Sequence, residues 1–124
     1  MSTAFLFPGQ GSQLVGMGAD LFAQFSEEVA QANDILGYSL SDLCVNGPEE
    51  QLGQTQYTQP ALYLVSYLHA RAINKDEGKP AMAAGHSVGE FAALAFAGAF
   101  TFSDGLKMVA KRGEIMSQVS GGGM

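Results

Sequence analysis

The apolar positions of this chain open with a tight run, AFLF at residues 4–7, halted by the Pro8-Gly9 pair. A short apolar run bounded by turn residues predicts a buried strand. From Gly9 to Gly18 the sequence GQGSQLVGMG is rich in glycine and predicts a loop, leading into a helix near Ala19 to Phe25. Ser26 has the chemistry of a helix N-cap, and Glu27 and Glu28 put negative charge in the first turn, where the helix dipole favours it. Val29, Ala32, Ile35 and Leu36 then share one stripe, and Gly37 marks a left-handed stop.

Two short helical pieces follow, Ser41 to Cys44 and Pro48 to Leu52, the second with Pro48 in its first turn. The longest periodic stretch runs from Thr58 to about Asn74, with Leu62, Val65, Leu68 or His69, and Ala72 at helical spacing. Lys75 to Pro80 reads as a charged turn, Ala81 to Ala84 as a second buried strand, and Ser87 to about Ala97 as a nearly all-apolar helix. Gly98 to Phe102 reverses the chain, and Ser103-Asp104 caps a last helix ending near Val119.

The order strand, helices, strand, helix, helix predicts an α/β fold with parallel pairing, the helices serving as crossovers. Two strands make a poor parallel sheet, so the 124 residues read as the front part of a larger α/β domain. Composition agrees: charged residues are 15% of the chain, against about 25% in ordinary soluble domains. A chain so short of charge is expected to expose apolar surface.

Charge and cysteine content exclude several classes. Twelve acidic against six basic residues give a net charge of -6, with no basic stripe to hold a phosphate backbone, so nucleic acid is not an expected partner. Cys44 stands alone, which rules out an intrachain disulfide, and no Cys/His spacing suits zinc. The N-terminus has no positive region and its apolar run ends at Pro8, so neither a signal peptide nor a membrane span is expected. A reducing, cytoplasmic setting is the default.

The chemistry concentrates in GHSVGE at residues 85–90, where Gly85-x-Ser87-x-Gly89 follows an apolar strand and enters an apolar helix. A serine on such a strand-to-helix elbow needs small neighbours, and the helix N-terminus presents N–H groups where an oxyanion would form. The pattern also arises by chance, so its context carries the argument. His86 adjoins the serine but projects elsewhere on such a turn, and reads as a hydrogen-bonded structural histidine. His69 lies within a long helix. Neither is a convincing base, and a serine nucleophile needs one within hydrogen-bond reach.

The Gly9–Gly18 loop fails both nucleotide-binding patterns: Leu14 stands where a third glycine is needed, and Met17 where a P-loop has lysine. What survives is a backbone-rich loop after the first strand, on the same carboxyl edge as the Ser87 elbow, so that the two can face one another. Arg112 is one of two arginines; an arginine matches a carboxylate bidentately, although by residue type alone a solvated surface role is the simpler reading. Lys107 and Lys111, four apart, read as an exposed face.

Together, FPGQGSQ (7–13), YTQPAL (57–62), GHSVGE (85–90) and RGEIM (112–116) resemble the malonyl-CoA:acyl-carrier-protein transacylases and the acyltransferase domains of polyketide synthases. The resemblance covers essentially the whole chain. It implies the N-terminal part of a parallel-sheet, α/β-hydrolase-like large subdomain, with the ferredoxin-like small subdomain absent and the chain apparently truncated near residue 120. Ser87 would take an acyl group from coenzyme A as an ester and pass it to the phosphopantetheine thiol of an acyl carrier protein. The backbone N–H groups of Gln10 and Val88 would form the oxyanion hole, Arg112 would pair with a malonyl carboxylate, and Gln59 would lie near the acyl pocket. His86 would stay structural, since the family's catalytic histidine comes from further along. Malonyl-CoA and the carrier are the implied partners, for fatty-acid or polyketide synthesis; coenzyme A enters as a thioester substrate, and no bound cofactor or metal is implied. Lys107 and Lys111 are candidate contacts for an acidic carrier.

Two other readings stay open. An α/β-hydrolase-type esterase or thioesterase shares the serine elbow, but only one strand precedes the elbow strand and no HGGG-type loop is present. A non-catalytic fragment that needs a complementary piece is the other.

Overall fold

A computed structural model of the 124-residue chain describes residues 4–77 and 82–119. Strand β1 (Ala4–Phe7) pairs in parallel with β2 (Met82–Gly85), placing Phe5 beside Ala83 and Phe7 beside Gly85. Among the described residues six helices accompany them: α1 (Ser26–Leu36), α2 (Leu40–Asn46), α3 (Glu49–Leu52), α4 (Thr55–Glu77), α5 (Gly89–Phe96) and α6 (Phe102–Val119). The predicted α/β order and parallel pairing hold, with α1 to α4 making the crossover that parallel strands require.

Side chains alternate across a strand, and β1 uses both faces. Phe5 and Phe7 turn toward Phe96 of α5, with ring centroids 5.5 and 6.1 Å apart, while Leu6 is 82% exposed. The expectation of a fully buried first strand is thus corrected: one face packs and the other is bare. Ala84 of β2 is exposed as well. Leu14, Val15, Leu94, Met108, Ile115 and Val119 are likewise exposed, as the low charge content led one to expect.

Helix α4 is the central post, packed against both α5 and α6. It begins three residues before the predicted Thr58 and runs to Glu77, absorbing the first part of the expected turn; residues 78–80 of that turn lie outside the described residues, as does residue 81 of the second strand. Every side chain from Thr58 to Leu64 is buried, so α4 is enclosed all round just after its half-buried first turn. Polar groups inside such a stretch need partners. Thr58 donates to the Leu52 and Gln54 carbonyls, and Tyr63 donates to the Phe102 carbonyl at 2.8 Å.

The expected helix near Ala19 to Phe25 is a succession of turns. Its pattern was real, since Leu21 and Phe25, four apart, are both buried. Phe25, at φ -119° and ψ 48°, leaves the helical region and separates those turns from α1. Ser26 is consequently the first residue of α1, and Phe25 holds the N-cap position without a side-chain bond. Gly37 closes α1 in the left-handed region as predicted. Pro48 precedes α3 rather than lying in its first turn. At α6 the cap is Thr101, whose hydroxyl accepts the Asp104 N–H at 3.1 Å; the expected Ser103-Asp104 cap lies inside the helix.

Candidate active site

The β2–α5 junction is built for a serine under strain. Ser87 has φ 57°, the only non-glycine residue with positive φ among those described. Such a conformation costs an L-residue about 1–2 kcal/mol, so the surroundings must impose it. They do. A Cβ on Gly85 would run into the backbone of Gly89, and one on Gly89 would run into the Phe7 carbonyl. Both glycines of the G-x-S-x-G pattern are therefore sterically required. Val88 follows at φ -59° and ψ -24°, and the Glu90 N–H returns to the Ser87 carbonyl at 3.0 Å, starting α5. The helix begins at Gly89, not at the predicted Ser87, because the elbow uses those two residues.

The loop after β1 meets this elbow directly. The His86 N–H donates to the Phe7 carbonyl at 3.0 Å, extending the strand ladder by one residue. A Cβ on Gly9 would lie 2.6 Å from the His86 carbonyl oxygen, so only glycine admits this approach. Gln13 reaches back to accept the Gly11 N–H at 2.8 Å, and the Gln10 side chain donates to Thr55 Oγ1 at 3.1 Å. The backbone N–H groups of Gln10 and Val88 have no protein acceptor among the described residues. They are donors left over at the edge where the serine stands.

Arg112 comes to the same place from α6. Its Nη2 donates to Ser87 Oγ at 3.2 Å, its Nη1 donates to Gln59 Oε1 at 2.7 Å, and its guanidinium carbon lies 5.6 Å from the centre of the Phe91 ring. Gln59 is 1% exposed, and its Nε2 points at Met116 Sδ across 3.1 Å. Four residues from two helices and the elbow thus converge: Ser87, Arg112, Gln59 and Met116. The surface reading of Arg112 is set aside by this geometry.

Sequence reasoning singled out Ser87, Gln59 and Arg112, and the fold brings all three together. Met116 stood in the RGEIM motif without a role, and Phe91 was read only as part of an apolar helix. Their signal was present, because Arg112 and Met116 lie four apart and share a helix face. His86 departs from expectation: it is exposed, and its ring makes no hydrogen bond among the described residues. His69 is also exposed and lines a groove of about 530 Å³ along β1, with Pro8, Ser12 and Val65, which does not include Ser87. The only hydrogen-bond partner of Ser87 Oγ among the described residues is Arg112.

Other chemistries find less support. Burial pushes the Cys44 thiol up to about 12, which leaves it protonated and unreactive near neutral pH. Among the described residues no group of three or more His, Cys, Asp or Glu is placed to hold a metal ion, and no helix is long and apolar enough to cross a membrane. Lys107 and Lys111 are exposed as expected, and Lys111 pairs with Glu114 at 3.6 Å.

Residues 4–124 match the family described as the acyl transferase domain. The chain is 53% identical over 121 residues to the Bacillus subtilis polyketide biosynthesis malonyl CoA-acyl carrier protein transacylase, covering 97% of this chain and 42% of that protein. The crystal structure of a malonyl CoA-acyl carrier protein transacylase from Burkholderia pseudomallei superposes with a TM-score of 0.91 at 55% identity, covering 95% of this chain and 41% of that one. A type II polyketide-synthase acyl-carrier protein in complex with its malonyl-transacylase gives a TM-score of 0.86 at 43% identity, with coverage of 95% and 40%. The chain thus spans about two-fifths of the length of these relatives.

Proposed function

The chain belongs to the acyl transferase domain family, and from that premise we propose that the protein carrying it moves a malonyl or related acyl group from coenzyme A to the phosphopantetheine thiol of an acyl carrier protein. The observation that carries the reading is the Arg112 guanidinium held 3.2 Å from the oxygen of the strained Ser87. A fixed cation beside a nucleophile suits an acyl group that bears a free carboxylate.

Ser87 Oγ attacks the thioester carbonyl, and its proton passes to a general base. Arg112 cannot serve as that base, because a guanidinium in a protein keeps its protons. The resemblance assigns the base to a histidine further along the family's sequence. Oxygen charge on the tetrahedral intermediate falls to the unused N–H groups of Gln10 and Val88, with the N-terminus of α5 adding its partial positive charge. The intermediate collapses, the C–S bond breaks, and coenzyme A leaves as the thiol after taking a proton. The carrier's thiol then attacks the Ser87 ester, and the serine regains its hydrogen as the acyl thioester departs.

Arg112 holds the malonyl carboxylate through paired N–H donors, and Gln59 belongs to the same pocket wall. Fatty-acid and polyketide synthesis both use this transfer. The setting is proposed to be cytoplasmic, on the strength of the single unpaired thiol of Cys44. Mixing the protein with malonyl-CoA and a pantetheinylated carrier tests the reaction class. Malonylated carrier is the expected product; free malonate formed at the same rate would favour the hydrolase reading.

A further inference from the structure

We infer that Gln59 is the positioning residue for Arg112: its buried amide oxygen fixes the guanidinium beside Ser87, and so sets the preference for an acyl group with a free carboxylate. The inference rests on the acyl-transfer reading given above and goes beyond it by naming what makes the cation selective.

Chemistry dictates how the Gln59 amide must lie. It is enclosed, with two hydrogen-bond partners among the described residues. Arg112 is donor-only, so it demands the amide oxygen. The amide nitrogen is left with Met116 Sδ, a weak acceptor at 3.1 Å. Turning the amide over would set two donors against each other and strand the oxygen on sulfur. One orientation is therefore enforced, and the oxygen is aimed at the cation at 2.7 Å, a charge-assisted distance.

The backbone makes the same point. Arg112 and Met116 grip Gln59 from one face of α6, and Gly113 lies between them. A Cβ on Gly113 would sit 3.2 Å from Gln56 Cα and 3.3 Å from the Thr55 carbonyl oxygen, so the missing side chain lets α6 close on the first turn of α4. That approach is what allows a glutamine to span the two helices. An arginine on a flexible stem loses several rotamers on binding a ligand; one already tied to a buried oxygen and laid over Phe91 has lost them beforehand. Gln59 acts through Arg112 and has no need to touch substrate. Its Nη1 anchor leaves further guanidinium N–H groups for a carboxylate.

Two substitutions in the protein that carries this chain test the assignment. Gln59→Leu keeps the apolar volume and removes the anchor. Gln59→Glu keeps an oxygen on Arg112 but makes it a resident carboxylate that competes with the substrate's. Rates of Ser87 acylation by malonyl-CoA and acetyl-CoA are measured for each, together with the order of the Arg112 guanidinium by ¹⁵N relaxation. Loss of a hydrogen bond to a charged group in Gln59→Leu, and competition from the resident carboxylate in Gln59→Glu, each predict a malonyl-to-acetyl ratio lowered at least about tenfold. Greater mobility of Arg112 is expected in Gln59→Leu alone. Equal losses for the two acyl groups would reduce Gln59 to a packing residue and overturn the inference, as would an unchanged ratio. If the unsubstituted protein forms no malonyl ester, the acyl-transfer reading itself fails and the inference falls with it, an outcome that the wild-type control separates from the others.

Discussion

Arg112 Nη2 donates to Ser87 Oγ across 3.2 Å, so the hydrogen bond that reaches the serine oxygen comes from a group unable to take its proton. In the proposed transfer the contact ties nucleophile and cation together, across β2–α5 and α6. That proposal gives each a distinct task. The serine's proton has to leave by another route, while the cation is free to hold a negative group on the substrate.

Replacing Arg112 should therefore change which acyl group is accepted more than whether any is accepted. Arg112→Ala is expected to lower kcat/KM for malonyl-CoA at least about a hundredfold, the loss of two charge-assisted bonds, and to leave or raise transfer of acetyl. Arg112→Lys keeps the charge but not the fork, and should recover only part of the malonyl rate. Comparable losses for malonyl and acetyl would take Arg112 out of carboxylate recognition.

The elbow makes a prediction about folding as well as rate. Gly89→Ala drives a methyl into the Phe7 carbonyl, with backbone on both sides and no flexible side chain to yield. A destabilisation of about 3 kcal/mol, the upper end for overpacking, is expected in urea unfolding. Acylation of Ser87 should fall as well, because the left-handed turn depends on that close approach. An unchanged unfolding midpoint would show that β1 and α5 are not held so tightly.

Cys44 supplies a pH test. Its thiol is pushed by burial from an ordinary 9.0 to about 12. Between those values the unfolded chain gives up the proton and the folded chain keeps it, so the thiol's contribution to stability is intact below pH 9.0 and is lost as pH rises toward about 12. Tyr38 and Tyr63, also raised by burial, act in the same direction above 10.0. Unfolding midpoints at rising alkaline pH should drop less steeply for Cys44→Ala than for the unsubstituted protein. At pH 8, alkylation of Cys44 should await unfolding; rapid labelling of the native protein would contradict its burial.

How much of this was legible depended on whether the signal was local. Parallel pairing of 4–7 with the strand before Gly85 could be read from element order, and the strain at Ser87 from its two flanking glycines. Gly37 stopped α1 for the same local reason. The turns at 19–25 were misread because Leu21 and Phe25 have helical spacing, and nothing local reveals that Phe25 leaves the helical region. Thr101 was passed over as a cap because Ser103-Asp104 offered the same chemistry two residues later. Arg112 was ambiguous by residue type, since its partners lie 25 and 53 positions away. Gln59 was harder still: a glutamine in an apolar stretch shows that a partner must exist, but not which one.

The central claim is that Ser87 becomes an ester during transfer, and intact mass of the protein after brief exposure to malonyl-CoA tests it most directly. The account predicts one malonyl adduct per chain, absent in Ser87→Ala and discharged by a pantetheinylated carrier. An adduct that persists in Ser87→Ala, or none in the unsubstituted protein while the carrier is being malonylated, would contradict it.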